Sequence, residues 1–371
     1  MKRGSEGLEE WLPDSSWRQR FRRKLVAWYQ TNGRDLPWRR THNPYRIWVS
    51  EVMLQQTQVE TVKPYFKRFL KEFPTVRKLA AATEEQVLRQ WEGLGYYRRA
   101  RQLHAASKVI VEKHRGSFPT DFDDVFDLPG IGRYTAGAIL SFSKDQPHPI
   151  VEANTIRLYS RLLGYDADPT RSDGQKVLWA FAESLLSKKN PGEINQALIE
   201  LGGCVCKPRS PACHECPVAN LCNARLTGRV EEIPVAKKKM QFENVTEAAI
   251  VIQSRGEVLI RKCQAGERWA GLWDFPRFVV ADEKNLKRKL ADQVNELTGN
   301  SIAVTQKFKT IKHGVTRFRI QLYCFRAELD GRRCRVKADQ KWVRIGQLGD
   351  YPLSVTGRKI SDTLQKSKSS V

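Results

Sequence analysis

The sequence has no run approaching the roughly 20 consecutive apolar residues that a membrane-spanning helix needs, and no apolar stretch follows the charges near its N-terminus. A membrane partner and a secretory leader are therefore not expected, and the chain reads as soluble and cytoplasmic. Acidic residues are in deficit, 41 Asp and Glu against 64 Lys and Arg, for a formal net charge of +23. Such an imbalance favours an anionic polymer as partner, nucleic acid first. Cysteine is sparse, 8 in 371 residues, too thin for a disulfide framework, so cysteines that cluster are better read as metal ligands. No alternating strand pattern of any length precedes about residue 240, and no internal repeat is present. What the chain does have is 40% hydrophobic residues and ten Trp, which excludes disorder and provides for two or three domains.

Helical periodicity marks Trp17 to Asn32, much of Pro44 to Phe73, Glu84 to Trp91, Arg98 to His114 and Arg133 to Ser141. It continues through Thr155 to Leu163, Gln175 to Leu186 and a short Asn195 to Leu201. Residues 223–245 change character, with Gly228, Pro234 and Lys237-Lys238-Lys239. Beyond them the period becomes two. Glu247 to Gln253 and Glu257 to Arg261 around Ser254-Arg255-Gly256 predict a hairpin. Phe308 to Phe325 and Lys341 to Ile345 give further strands, and Asn285 to Leu297 gives a helix stopped by Gly299. The expected architecture is multidomain: an N-terminal tail over 1–16, an all-α domain over 17–225, a linker over 226–243, an α+β domain over 244–363 and a C-terminal tail over 364–371.

Cys206, Cys213, Cys216 and Cys222 crowd four thiols into 17 residues, enough to surround one metal centre, zinc or iron–sulfur. Lys207 and Arg209 lie between them, basic groups that a bound metal would hold rigid for phosphate contact. Cys204, Cys263, Cys324 and Cys334 fall outside the pattern and read as packed thiols. Upstream, Leu128-Pro-Gly-Ile-Gly-Arg-Tyr joins two helical segments. Gly130 and Gly132 permit a tight turn whose N–H groups can meet a phosphate. Glu51 sits inside an apolar helical block (Val49, Val52, Met53, Leu54), where burial would raise its pKa and keep it protonated.

Together with Leu36-Pro-Trp-Arg39, Trp48-Val-Ser-Glu-Val-Met-Leu-Gln-Gln-Thr57, Trp91-Glu-Gly-Leu-Gly-Tyr-Tyr97 and Asn195-Gln-Ala-Leu-Ile-Glu-Leu-Gly202, these blocks resemble the endonuclease III superfamily of helix-hairpin-helix DNA glycosylases, and within it the MutY-type adenine DNA glycosylases. The resemblance spans about residues 17–225. It implies one 4Fe–4S cluster on the four cysteines. It also implies excision of adenine mispaired with 8-oxoguanine or guanine in double-stranded DNA. Glu51 is implied as the acid that protonates adenine at N7, and a second carboxylate balances the sugar cation. The family has Asp-Gly-Asn for that second group. Here the segment is Glu152-Ala153-Asn154, which keeps a carboxylate with one more methylene and keeps the Asn that would orient it. Tyr134 stands where related lyases carry a Lys, which implies a monofunctional glycosylase. Its hydroxyl is placed to assist the sugar cation.

The base must leave the stack to be cut. By resemblance Gln56 and Tyr96 fill the gap, Thr57 and Leu94 contact the opposite purine, and Gly130, Gly132 and Arg209 meet the backbone. Trp38, Arg39, Leu54 and Gln196 resemble the wall of the adenine pocket. In the second part Gly271-Leu-Trp-Asp-Phe-Pro276 resembles a block of the family's Nudix-like C-terminal domain. The stretch Asp292 to Gly299 keeps only Glu296 of the Nudix hydrolase motif, which argues against a metal-dependent pyrophosphatase. The implied role is reading the base opposite adenine. The family's Phe-Ser-His recognition loop aligns with Val315-Thr316-Arg317, a departure in which Thr316 would replace the Ser and Arg317 would contact phosphate or guanine. A thymine or uracil mismatch glycosylase and a non-catalytic lesion-binding protein remain as alternatives. A monomer is expected.

Overall fold

The computed structural model describes residues 8–235, 241–281, 284–333 and 335–368. Cys334, the lysine run 237–239, the first seven residues and the last three lie outside them. By contact the chain divides into two compact units. One comprises 1–80 with 102–238, the other 81–101 with 239–371. In chain order the helices are α1 (Ser15–Asn32), α2 (Pro44–Leu54), α3 (Val59–Glu72), α4 (Val76–Ala81), α5 (Glu84–Trp91), α6 (Arg98–Lys113), α7 (Phe122–Phe126), α8 (Arg133–Lys144), α9 (Ala153–Leu163), α10 (Ser172–Leu185), α11 (Pro191–Glu200), α12 (Asn223–Leu226), α13 (Leu286–Thr298) and α14 (Val355–Lys368).

The first unit is helical, as its periodicity implies. Phe21 and Leu25 of α1 share a core with Leu158 and Leu162 of α9, Phe181 and Leu185 of α10, and Ala197 and Leu198 of α11. Local chemistry sets the helix starts. The Asp14 side chain accepts from Trp17 N at 2.7 Å, so α1 begins at Ser15, inside the expected tail. Pro191 occupies the first turn of α11 after Asn190, which lengthens the short helix read from Asn195. A five-residue π turn, Leu201–Val205, then leads into Cys206. The expected linker starts out docked: Ile233 is buried, and Arg161 Nε donates to its carbonyl at 2.8 Å.

The second unit carries a mixed sheet of β1 (Glu243–Ser254), β2 (Glu257–Lys262), β3 (Trp273–Asp274), β4 (Arg277–Val279), β5 (Ile302–Val315), β6 (Phe318–Leu329) and β7 (Gln340–Arg344). The order is β3-β2-β1-β6-β5, with β4 paired to β1 and β7 to β2. β1 runs parallel to β6, Glu243 opposite Phe318 through Gln253 opposite Glu328. Its Ala248-Ala-Ile-Val-Ile252 run is buried on both faces, as central strands require. Ala249 and Val251 join Ile360 and Leu364 of α14, while Ile250 and Ile252 join Leu290 and Val294 of α13. α14 therefore continues through much of the expected C-terminal tail, and Leu364 is core. The stretch read as Phe308 to Phe325 is two longer strands, broken at Thr316-Arg317 by a turn in which Thr316 takes φ +50°.

Candidate active site

Three helices of the first unit bring carboxylates and a phenol to one cavity of about 440 Å³. α2 starts at Asn43, whose side chain accepts from Arg46 N, with Pro44 in the first turn. It is buried nearly all round, so Glu51 is only 6% exposed. α8 begins after a turn in which Gly130 has φ +78°, where an added Cβ would meet the Gln102 side chain at 2.6 Å. Gly132 then caps α8 and places Tyr134 in its first turn. Glu152 is the N-cap of α9. Its Oε1 accepts from Asn154 N at 2.9 Å and Thr155 N at 3.0 Å, while Asn154 Nδ2 reaches Oε2 at 3.3 Å.

Tyr134 OH donates to Glu51 Oε2 at 2.8 Å. Burial pushes the Glu51 carboxyl up to about 7. The Tyr134 hydrogen bond opposes the rise, and the charge of Glu152 adds to it. Burial also raises Glu152, against the backbone N–H groups of Asn154 and Thr155. One carboxyl is thus poised to hold a proton near neutrality, while its neighbour is hydrogen-bonded as an acceptor. This is the pairing that N-glycosidic cleavage needs.

Trp38, Arg39, Leu54, Gln56, Thr57, Asn154 and Gln196 line the same cavity. Gln56, exposed at φ +56°, and half-buried Thr57 follow the end of α2. Sequence reasoning missed the groups behind this wall. Glu200, fully buried, receives Arg34 Nε at 2.7 Å and Arg39 Nη2 at 2.8 Å. Burial acts to raise its pKa, but those hydrogen bonds win and hold it at about 2. Tyr29 OH donates to Gln196 Oε1 at 2.7 Å. Glu200 stands four residues after Gln196 on α11, the one signal in the sequence that could have found it.

The four cysteines line one small, mostly apolar cavity with Leu158, Arg161 and Leu162. Among the described residues no group of three or more His, Cys, Asp or Glu side chains is arranged to hold a single ion. The four thiols stand on the wall of this cavity. Burial, with the charges of the other three cysteines, pushes Cys216 up to about 12. Arg161 Nη1 lies 3.4 Å from Cys206 Sγ. Four crowded thiols beside a guanidinium suit a 4Fe–4S cluster, whose cationic irons would stabilise the thiolates. The loop also touches the carboxylate network. Arg157 Nε donates to Cys206 O at 2.6 Å and its Nη2 to Asn154 Oδ1 at 3.0 Å.

Arg209 is exposed on the cysteine loop. Leu94, buried, and Tyr96, 51% exposed, belong to the second unit. So do Val315, Thr316 and Arg317. Thr316 Oγ1 donates to Val315 O at 2.8 Å, and Arg317 Nε pairs with Glu243 at 3.0 Å.

This combination defines a base-excision DNA glycosylase of the helix-hairpin-helix class. Residues 49–184 match the HhH-GPD superfamily of base excision DNA repair proteins, residues 206–222 the iron–sulfur binding domain of endonuclease III, and residues 247–363 the NUDIX domain. A solved thermostable thymine-DNA glycosylase superposes with a TM-score of 0.53 at 26% identity, over 57% of this chain and 98% of that one. The adenine DNA glycosylase of Buchnera aphidicola subsp. Schizaphis graminum is 36% identical over 293 residues, 79% of this chain and 82% of its own length. The human adenine DNA glycosylase is 40% identical over 268 residues, 69% of this chain, which spans 48% of the human protein's length. The chain belongs to the adenine DNA glycosylase family, and its cysteine loop carries that family's iron–sulfur cluster. No helix among the described residues is long and apolar enough to cross a membrane.

Proposed function

We propose that the chain removes adenine mispaired with 8-oxoguanine or guanine from double-stranded DNA, by monofunctional hydrolysis of the N-glycosidic bond, acting as a cytoplasmic monomer. The observation that carries this reading is the meeting of Glu51, Tyr134 and Glu152 at one cavity large enough for a purine. The extruded adenine enters between Trp38, Leu54 and Gln196. Neutral Glu51 gives its proton to the ring nitrogen N7, so the base leaves uncharged. Glu152, held by the α9 N-terminus and Asn154, balances the oxocarbenium charge on the sugar. Water completes the hydrolysis, and Glu51, now anionic, is placed to accept its proton. Position 134 offers a phenol in place of an amine, so no Schiff base forms there and the DNA strand is left intact. Cys206, Cys213, Cys216 and Cys222 would hold the Fe–S cluster, which would crosslink the 206–222 loop and so keep Arg209 in place for the phosphates. In the second unit, Val315, Thr316 and Arg317 read the opposite purine from the β5–β6 turn.

Single-turnover cleavage on four duplexes tests the reading: A opposite 8-oxoguanine, A opposite guanine, T opposite guanine and U opposite guanine, with alkali revealing abasic sites. Adenine release is expected. Release of T or U alone would move the chain to mismatch-pyrimidine excision. Tight lesion binding without release would make it a non-catalytic binder.

A further inference from the structure

Residues 81–101 lie between helices of the glycosylase domain in sequence but pack with the sheet-bearing unit. At their centre is a tight turn, with Gly93 at φ +92°, Gly95 at φ +78° and Tyr96 at φ +49°. A side chain held in the left-handed region costs on the order of 1 kcal/mol, so the surroundings must enforce the shape. They do so from both ends. Trp91 Nε1 and Arg99 Nη2 both donate to Gly95 O, at 3.1 and 3.2 Å. The Arg99 guanidinium lies 5.4 Å from the Trp91 ring centre and 5.5 Å from that of Tyr96. At the other end Glu92, its side chain 8% exposed, takes a two-pronged contact from α14. Arg358 Nε and Nη2 donate to its Oε1 and Oε2 at 2.5 and 3.1 Å. Arg358 is itself fixed by donating to Leu348 O at 2.9 Å and Tyr351 O at 2.8 Å. A second anchor joins Glu85 Oε1 to Lys262 Nζ and Trp273 Nε1 at 3.0 and 2.9 Å.

We propose that Arg358 is a positioning residue for base extrusion: through Glu92 the sheet-bearing unit holds the Gly93–Tyr96 turn in the shape in which Tyr96 enters the duplex. The inference rests on reading the chain as a base-flipping glycosylase with Tyr96 as its wedge. Two glycines without a clamp would let the turn sample many shapes, and ordering it would then be charged to each extrusion event. A bidentate guanidinium–carboxylate contact removes that freedom in advance.

The test uses the full chain with its cluster, in the variants Arg358→Met, Arg358→Lys, Glu92→Gln and Tyr96→Ala. Single-turnover adenine excision is read beside the fluorescence of 2-aminopurine opposite 8-oxoguanine, which reports extrusion. Arg358→Met is expected to slow excision about ten-fold, as displacement of a positioned group does. The extrusion signal should fall in parallel, and the pH profile should not move. Arg358→Lys keeps the charge but loses the fork and should fall between. In a Tyr96→Ala background Arg358→Met should add no further loss, because the wedge it positions is gone; a general stabilising role would multiply the two effects. If Arg358→Met loses its fold or cluster absorbance, Glu92→Gln carries the same comparison. Wild-type excision rates in Arg358→Met and Glu92→Gln, or full multiplication with Tyr96→Ala, would overturn the proposal. Failure of the wild type to release adenine would instead sink the glycosylase reading.

Discussion

Replacing Glu51 by Gln should kill excision and stabilise the protein. The variant keeps the side chain's shape and an oxygen to accept from Tyr134 OH. What it removes is the cost of ionising a buried carboxyl. Burial lifts Glu51 from 4.5 to about 7, which at about 1.4 kcal/mol for each pH unit is about 3 kcal/mol. The sign follows from the raised value. A folded-state pKa above the unfolded one favours the fold at low pH, and that advantage is lost as pH rises through about 7. The wild type and the Glu51→Gln variant should therefore match near pH 4, diverge between 4.5 and 7, and differ by a constant amount above that. For a unit of this size 3 kcal/mol corresponds to a melting shift of roughly 6–10 °C at pH 8. Paired melting curves at one scan rate, from pH 4 to 9 with cluster absorbance as a second probe, measure it. A melting difference that does not change with pH would refute the burial argument, and appreciable adenine release by the variant would refute the assignment of the acid.

The same value predicts that single-turnover excision falls as pH rises above about 7, approaching ten-fold per pH unit, because the acid must be protonated; the limb would belong to the coupled Glu51–Glu152 pair. Glu152→Gln should cost at least about 100-fold in the same assay while lesion binding by gel shift persists. Glu152→Asp, which restores the family's shorter carboxylate, should retain measurable excision. Glu200→Ala leaves Arg34 and Arg39 without their buried partner, and urea titration should show a loss of about 3–5 kcal/mol. Cys216→Ser should abolish the cluster's visible absorbance and weaken duplex binding in proportion to the loop's disorder.

The parts of the fold and site that could be read in advance are those carried by local chemistry. The helical first part follows from a 3.6-residue period, and the two-sided burial of β1 from its unbroken Ala-Ala-Ile-Val-Ile run. The cysteine spacing announces a metal-binding loop without any knowledge of the fold, and the resemblance to the family implies the cluster. Glu51 stands out because a carboxylate in an apolar helix has nowhere polar to go. Contacts between distant residues were invisible. Arg34 meets Glu200 across 166 positions and Tyr29 meets Gln196 across 167, so nothing short of the folded chain pairs them. Thr316 carries no turn signal of the Gly or Asn kind, yet the β5–β6 hairpin forces it to positive φ, so the residue pattern over 308–325 marks strand without marking where the chain turns. Similarly, the polar end of α14 resembles a tail until Leu364 is seen to fill the core beside Ile360.

The sharing of residues 81–101 has a consequence for how this protein can be taken apart. The chain passes between the two units near residues 80 and 101 and again between 235 and 241, three times where a bead-on-a-string arrangement would pass once. A fragment ending near residue 235 would strand α5 and its turn without Lys262, Trp273 and Arg358, and expose apolar groups such as Leu88 that pack there. An isolated 241–371 piece would lack Glu85 and Glu92, which pair with Lys262 and Arg358. Neither half is a module in the sense of a part that can be swapped or inherited alone.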